Sequence, residues 1–243
     1  MRKSFLLACL LFLPFLIFSQ AAIKKADSSK AGGLYLDASG GLSFPLGSFA
    51  NTDVKNSGSG ASQGFLGQIN LDWIGKDNYG LGLQYTLQYN PLKSSVKNET
   101  LPDMYEPLGT GSWSNNYIMA GLVVLKFFHK VYFEGKILAG VILSSSPLFK
   151  TIDAQTYNPS NNIGTGFAWG IQVGTGYAVS PRVTLKASIE YLAGNPKIHH
   201  QSVKQDLDTI THTISYSAPI TKDTKRTVSA LLIKAGIVVK LSK

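Results

Sequence analysis

Alternation of apolar residues with polar or small ones is the feature of this chain that most limits its fold. It is clearest between Tyr79 and Tyr89, where tyrosine and leucine occupy every odd position and glycine, glutamine and threonine occupy the even ones. Successive side chains of a β-strand point to opposite faces, so the segment predicts a strand with one apolar and one polar face. A soluble sheet would bury the apolar face, whereas a barrel in an outer membrane would turn it towards lipid.

Eight such segments follow one another along the chain. They cover about residues 34–44, 62–73, 79–89, 116–127, 131–143, 163–178, 183–193 and 227–241. Short connections follow the second, fourth and sixth segments, and long ones cover 45–61, 91–115, 144–162 and 194–226. In outer-membrane barrels short turns are periplasmic and long loops extracellular. The sequence therefore predicts an all-β, eight-stranded antiparallel up-and-down transmembrane β-barrel with short periplasmic turns and long extracellular loops.

The N-terminus has the pattern of an export signal. Two basic residues precede an apolar run over 5–18, and small residues follow it. The run is shorter than the roughly 20 apolar residues that a spanning helix needs. We therefore expect residues 1–21 to be a cleaved signal peptide, 22–33 a short periplasmic lead and 34–243 the barrel domain. Cleavage would remove Cys9, the one cysteine, so we expect no disulfide and no thiolate chemistry in the mature protein.

The inner face of such a barrel must carry the residues opposite the apolar set. Its charged members are Asp37, Asp72, Lys126, Glu134, Lys136, Lys186, Glu190, Lys234 and Lys240. Charges in a confined interior are costly unless they are paired, so we predict a mutually paired network in the lumen. An eight-stranded barrel is just wide enough for side chains to fill it, which predicts a plugged lumen and no wide pore.

The phase of the fourth segment stays open. Ile118, Ala120, Leu122 and Val124 share the phase of Lys126, so both faces of this segment are apolar. The inward position of Lys126 depends on which of the two faces meets lipid.

Basic residues are in excess along the chain. The formal charge of +9 falls to +7 when Arg2 and Lys3 leave with the signal. The charge is dispersed and the chain is exported, so we expect outer-membrane lipid and lipopolysaccharide as partners and no nucleic acid. Candidates for contact with lipopolysaccharide phosphates are Lys197, Lys204, Lys222, Lys225 and Arg226.

The fourth long connection has strand character of its own. Residues 198–203 and 209–218 alternate and are rich in β-branched side chains, which predicts a ribbon that extends the seventh and eighth strands beyond the membrane. A protruding edge could pair with another protein. Apart from this contact we expect a monomer.

Signatures of phosphate-binding loops, zinc or serine hydrolases and paired-cysteine metal sites are missing. His199 and His200 are adjacent, so on a strand they point to opposite faces; with His212 they could hold a metal only if the loop folds back. Serines at 144–146 and these histidines leave a rim-sited lipid A-modifying enzyme as one alternative, without a positioned base or acid. A soluble lipocalin-like ligand-binding barrel is the other. We expect no enzyme, no cofactor and no metal.

Both ends of the predicted barrel are similar to a known family. The opening Gly-Leu-Tyr-Leu-Asp-Ala-Ser-Gly-Gly-Leu over 33–42 and the closing Ala-Gly-Ile-Val-Val-Lys-Leu over 235–241 resemble small outer-membrane β-barrel proteins. The type is the OmpA/OmpX-like and PorT-like barrels of Gram-negative bacteria, and the resemblance covers 33–243. It implies a porin-like fold exposed at the cell surface, with a structural, adhesive, immune-evading or secretion-associated role.

Overall fold

The computed structural model describes residues 32–53, 58–97, 109–149, 156–157, 163–208, 213–216 and 220–241. All eight predicted segments are strands. They are β1 (Gly33–Pro45), β2 (Gly64–Ile74), β3 (Tyr79–Pro91), β4 (Ser112–Phe128), β5 (Val131–Ser145), β6 (Ile163–Ala178), β7 (Val183–Gly194) and β8 (Val228–Lys240). The predicted signal peptide and most of the predicted lead lie outside the described residues.

The eight strands form one closed antiparallel sheet. Each strand pairs with its neighbours in chain order, and β1 pairs with β8 to complete the ring, for example at Leu36 and Val239. Closure leaves the barrel without an unpaired edge. The predicted eight-stranded up-and-down barrel is therefore confirmed.

Tight turns join the strands at one end of the barrel, which we call the short-turn end. Asn78 and His129 adopt φ angles of 69° and 56° in the first two turns. Left-handed conformations of this kind are unfavourable for most L-residues and are tolerated best by glycine and asparagine. The opposite end, which carries the long connections, is the long-loop end.

Side chains alternate between the interior and the outer surface. In β2 every second residue from Gly64 to Ile74 is buried. Large apolar residues occupy the outer phase, where Phe65 is 61% and Leu122 is 63% exposed. Apolar residues outside and polar ones inside are the arrangement of a membrane barrel. It is the reverse of a soluble ligand-binding barrel, so the lipocalin-like alternative is wrong.

The long-loop end has structure of its own. Two one-turn helices, α1 (Gly47–Ala50) and α2 (Ser94–Lys97), follow β1 and β3. Beyond β7, the strand Lys197–Asp208 pairs with Ile220–Lys225 and Thr213–Tyr216, which together form the loop-four ribbon. A ribbon was predicted here, and its first strand is longer than the predicted 198–203. No helix in the described ranges is long and apolar enough to cross a membrane.

Candidate functional site in the barrel lumen

Seven charged side chains are buried inside the barrel, and we call them the lumen charge network. They are Asp37, Asp72, Glu134, Lys136, Lys186, Glu190 and Lys234. They come from five strands, β1, β2, β5, β7 and β8, because each strand turns alternate residues inward and the charged residues lie on that phase. All seven are at most 5% exposed.

Five of these side chains form a layer nearer the short-turn end. Lys186 lies between two carboxylates, with Nζ at 2.7 Å from an oxygen of Asp37 and 2.7 Å from one of Glu134. Lys136 is 2.6 Å from Asp72 and 3.8 Å from Glu134. Buried charges are tolerated only when such partners replace water. The layer is therefore held by cations that each face two carboxylates.

Gln172 joins this layer to the remaining pair, Glu190 and Lys234. Its amide nitrogen donates to Glu134 at 2.5 Å, and its amide oxygen accepts from Lys234 at 2.6 Å. Lys234 also contacts Glu190 and donates to Gln68 at 2.6 Å. The charges thus form one connected network across the barrel axis.

Acids outnumber lysines in the network by four to three. One oxygen each of Asp37 and Asp72, Oδ1, has no hydrogen-bond partner among the described residues. Asn70 donates to the other oxygen of Asp37 at 2.8 Å. The formal charges of the network therefore sum to −1, with the extra carboxyl group at its short-turn side.

Neutral amides and hydroxyls fill the next level towards the long loops. The Gln88 amide donates to Ser43 at 2.7 Å and to Asn90 at 2.8 Å. Tyr117 donates its hydroxyl to Gln88 at 2.9 Å. Ser144 donates to Asn115 at 2.6 Å. Partners of this kind make the burial of polar groups possible without water.

An apolar core closes the lumen at the long-loop end. Phe49 of α1 lies inside the barrel mouth and is fully buried, with its ring 5.6 Å from that of Trp113. Leu92 and Val96, from the start of the second long connection, belong to the same cluster. In their described parts, the first two long connections therefore fill the barrel mouth with Phe49, Leu92 and Val96.

Hydrogen bonds hold this apolar core, which we call the plug, against the barrel wall and join the two connections that form it. The Trp113 indole donates to the Ser59 carbonyl at 2.8 Å, and Lys93 donates to the Ala50 carbonyl at 2.5 Å. Gly60 has a φ angle of +61°, and a Cβ there would lie 2.9 Å from a methyl of Val96. A glycine at this position allows the loop to pass close to α2.

A second, smaller apolar cluster closes the short-turn end. It consists of Ile74, Val123, Leu125 and Tyr132, with Tyr35 and Phe127 packed against it. The lumen is thus apolar at both ends and charged or polar between them.

Lys126 was predicted to face the lumen, and this prediction is wrong. It is exposed on the outer surface, with Nζ 5.5 Å from the centroid of the Phe128 ring. The other phase of β4 faces inward because its residues, including Trp113, Val123 and Leu125, belong to the apolar clusters at the two lumen ends. Strand β4 therefore crosses the barrel with an apolar inner face.

Lys240 also lies apart from the network. It is on the inward phase of β8, as predicted, but at the last residue of the strand and half-exposed. Its Nζ is 5.6 Å from the centroid of the Tyr35 ring. The position places Lys240 at the mouth of the short-turn end.

The serines considered for catalysis make hydrogen bonds within the protein. Ser144 is buried and bonded to Asn115, and Ser146 donates to the carbonyl of Pro147. Within the described ranges, no three His, Cys, Asp or Glu side chains group to hold a metal ion. The side chains of His199 and His200 and all of His212 lie outside the described residues.

The basic residues predicted to meet lipopolysaccharide have different surroundings. Lys197 is half-exposed and pairs with Asp223 at 2.6 Å, and Lys225 is exposed directly opposite Lys197 in the ribbon. Arg226 instead donates to the Gly58 carbonyl at 3.1 Å, and burial lowers the pKa of its guanidinium. Arg226 therefore fastens the first loop, and its contact with lipopolysaccharide stays a prediction. The side chains of Lys204 and Lys222 lie outside the described residues.

Two features of the lumen were not predicted from the sequence. The amides of Gln68, Gln84 and Gln172 connect the charges, and their positions on the inward phase were the available signal. The sequence of 45–61 predicts only a long connection, so the plug around Phe49 was not predicted. An aromatic residue within a stretch rich in glycine and serine was the signal there.

Comparison with solved structures gives outer-membrane barrels. Neisserial surface protein A superposes with a TM-score of 0.53 at 18% identity, over 86% of this chain and 98% of that one. OprG of Pseudomonas aeruginosa has a TM-score of 0.46 at 12% identity, over 86% and 97%. The outer membrane protease OmpT of Escherichia coli has 0.46 at 11%, over 87% and 97%. At these identities the likeness concerns the fold alone.

No curated protein matches the chain. A family model for the outer membrane protein beta-barrel domain matches residues 8–218. The match ends before β8, the strand that closes the structure against β1. It covers most of the chain, and the apolar outer surface and the closed ring agree with it. The chain therefore belongs to the outer membrane protein beta-barrel domain family.

Proposed function

We propose that this protein is a non-enzymatic outer-membrane barrel with an occluded lumen that acts through the surface of its long loops. The observation that supports an occluded lumen is that side chains fill it at successive levels. The cluster around Val123, the lumen charge network, the amide level around Gln88 and the core around Phe49 follow one another along the axis. A solute passing through would have to displace all four. This supports a role that does not depend on conduction.

The loop-four ribbon supports a role at the cell surface. Its first strand, Lys197–Asp208, follows β7 at the long-loop end of the barrel. The long loops of outer-membrane barrels are extracellular, so we infer that the ribbon lies outside the cell. Thr156–Tyr157 of the third long connection pairs with it at Val203 and Lys204. A ribbon offers backbone groups to which a partner protein can add a strand. We therefore place the contact with another protein there.

Conductance in planar lipid bilayers tests the occluded lumen. We expect no stable channel steps from the purified protein. A variant in which 47–61 is replaced by a short Gly-Ser linker should also stay closed, because the lumen charge network lies below the plug. A steady conductance of the wild-type protein would contradict the proposal.

Proteolysis of intact cells tests the display of the ribbon. Trypsin added outside should cut within 197–226, where lysines are frequent, and leave the barrel strands intact. Cleavage only after the outer membrane is permeabilised would contradict the proposal. The enzyme alternative has a separate test in the mass spectrum of lipid A from a strain lacking the gene. We expect this spectrum to equal that of the wild-type strain, and a changed spectrum would support the enzyme.

We further propose that Lys197 and Lys225, with Lys204 and Lys222, meet lipopolysaccharide phosphates. Lys197 pairs with Thr165 of β6, two residues from the lipid-facing Phe167, which is 61% exposed. This is the level at which lipid headgroups meet a barrel. The variant K197Q/K225Q should lose most of the thermal stabilisation that added lipopolysaccharide gives the wild type. An undiminished stabilisation would contradict the contact.

A further inference from the structure

Four exposed cations lie at the short-turn end. Lys76 lies in the turn between β2 and β3, Lys126 at the end of β4, Lys130 in the turn between β4 and β5, and Arg182 in the turn between β6 and β7. We call these four residues the basic rim. Asp77 is the one acid in the three described turns. The rim therefore has a positive charge distributed around the barrel.

Backbone hydrogen bonds hold the rim in place, since each turn is tied to a neighbouring strand. The bonds run from Leu125 N to Asn78 O at 2.8 Å, from Ala178 N to Lys130 O at 2.7 Å and from Lys240 N to Arg182 O at 2.8 Å. Turns fixed in this way hold their cations at one level of the barrel. A partner that binds them does not have to order a flexible loop first.

The outward position of Lys126 relates the rim to the membrane. Leu122 and Val124 precede it on the lipid-facing phase of β4, where they are 63% and 41% exposed. Lys126 lies one strand repeat further towards the periplasm, about 7 Å beyond Val124. Phe128 and Phe133 pack edge to face beside it, with ring centroids 5.8 Å apart. Aromatic side chains at strand ends mark the headgroup level of a barrel.

We propose that the basic rim binds the phosphate groups of anionic phospholipids in the periplasmic leaflet of the outer membrane. Cations that lie at the level of the headgroups attract anionic lipid at short range. The outward face of Lys126 favours lipid over the peptidoglycan below, because a side chain beside lipid-facing residues meets headgroups first. This inference is independent of the function proposed for the long loops.

Native mass spectrometry in neutral detergent tests the rim, with phosphatidylglycerol as the probe and phosphatidylethanolamine as the zwitterionic reference. The wild type should bind phosphatidylglycerol more tightly. Each removed cation should lower this affinity about fivefold, so K126Q/K130Q should lower it roughly 25-fold. The variant K76Q/K126Q/K130Q/R182Q should bind the two lipids equally. The mobility difference between boiled and unboiled samples shows whether each variant retains a folded barrel.

The variant K55Q/K150Q is the matched control, because it removes the same charge from the first and third long connections, at residues to which no binding role is assigned. It should keep the wild-type preference for phosphatidylglycerol. Equal losses in the control and in K126Q/K130Q would overturn the proposal, since they would indicate attraction by net charge alone. Undiminished binding in the folded four-residue variant would also overturn it. So would a loss of co-sedimentation with purified peptidoglycan in a variant whose lipid binding is unchanged.

Discussion

The two halves of the lumen are closed by different means. On the short-turn side the strands turn Lys136, Lys186 and their carboxylate partners towards one another across the barrel axis. At the long-loop end, beyond the amide level, the interior is apolar, and Phe49 of α1 packs into it from outside the sheet. The charged level is built from the barrel strands alone, whereas the apolar core needs the loops.

The difference shows what each kind of closure depends on. Ion pairs hold a lumen only where each charge has its partners, so the loss of one partner leaves an uncompensated charge. A hydrophobic plug depends on buried area and shape, so its loss leaves a cavity. Single substitutions in either half should therefore lower the free energy of unfolding strongly, in one half through an unpaired charge and in the other through a cavity.

The largest expected effect comes from the charged half. Replacing Lys186 by Met leaves Asp37 and Glu134 without their shared cation, and we expect a loss of about 4 kcal/mol in the free energy of unfolding. Urea-induced unfolding in detergent micelles measures it. The same replacement at the outward Lys126 should cost less than ~1 kcal/mol. Equal losses at the two sites would show that the network contributes nothing specific.

The apolar half should respond to Phe49→Ala with a loss of about 3 kcal/mol, because the ring is fully buried against Trp113. The change should also expose Trp113 to acrylamide. In a background with Trp73→Phe and Trp169→Phe, quenching of the remaining tryptophan reports on the plug directly. Phe65→Ala on the lipid-facing surface is the control and should leave the quenching unchanged. An unquenched Trp113 in Phe49→Ala would mean that the plug is held without this ring.

Tyr117 tests the boundary between the two halves. Tyr117→Phe removes the hydroxyl that donates to Gln88 and leaves a buried amide oxygen with one partner fewer. We expect a loss of about 1.5 kcal/mol in the free energy of unfolding. The matched change Tyr85→Phe removes an exposed hydroxyl bonded to Asn116 and should cost roughly a third as much. A larger loss of unfolding free energy in Tyr85→Phe would contradict the prediction that the buried hydrogen bond of Tyr117 contributes more.

The smallest expected effect concerns the fastening of the plug. Arg226→Met removes the hydrogen bond to the Gly58 carbonyl, which we expect to cost about 1 kcal/mol and to make 45–61 more sensitive to added protease. Lys225→Met, one residue earlier and exposed, should change neither. Cleavage at the same rate in both variants would show that Arg226 does not hold the loop.

Much of the barrel was predictable from local pattern. Strand β6 was predicted with its observed bounds, Ile163–Ala178, and the other strands differ by a few residues, chiefly at the long-loop end. A strand leaves a period of two in the sequence wherever its faces meet different surroundings. The inward phases of β1, β2, β5, β7 and β8 followed from the same period, because each of those strands has one face that is clearly apolar.

Strand β4 could not be assigned in this way. Its two faces are both apolar, one towards lipid and the other towards the clusters that contain Trp113 and Val123. Hydrophobicity cannot distinguish these surroundings. The pairing of Leu122 with Leu81 and Ile137 on the lipid-facing phase decides it.

The sequence by itself determined the closed barrel, its number of strands and the polarity of most of its faces, because these depend on contacts between near neighbours and on a repeating pattern. Only the tertiary structure decided which charges meet, that Lys126 faces outward, and that the first loop enters the barrel mouth. Those features join residues distant in the chain, such as Asp37 with Lys186 and Ser59 with Trp113. Their proximity arises when the sheet closes, since closure brings opposite walls of the barrel within the reach of one side chain.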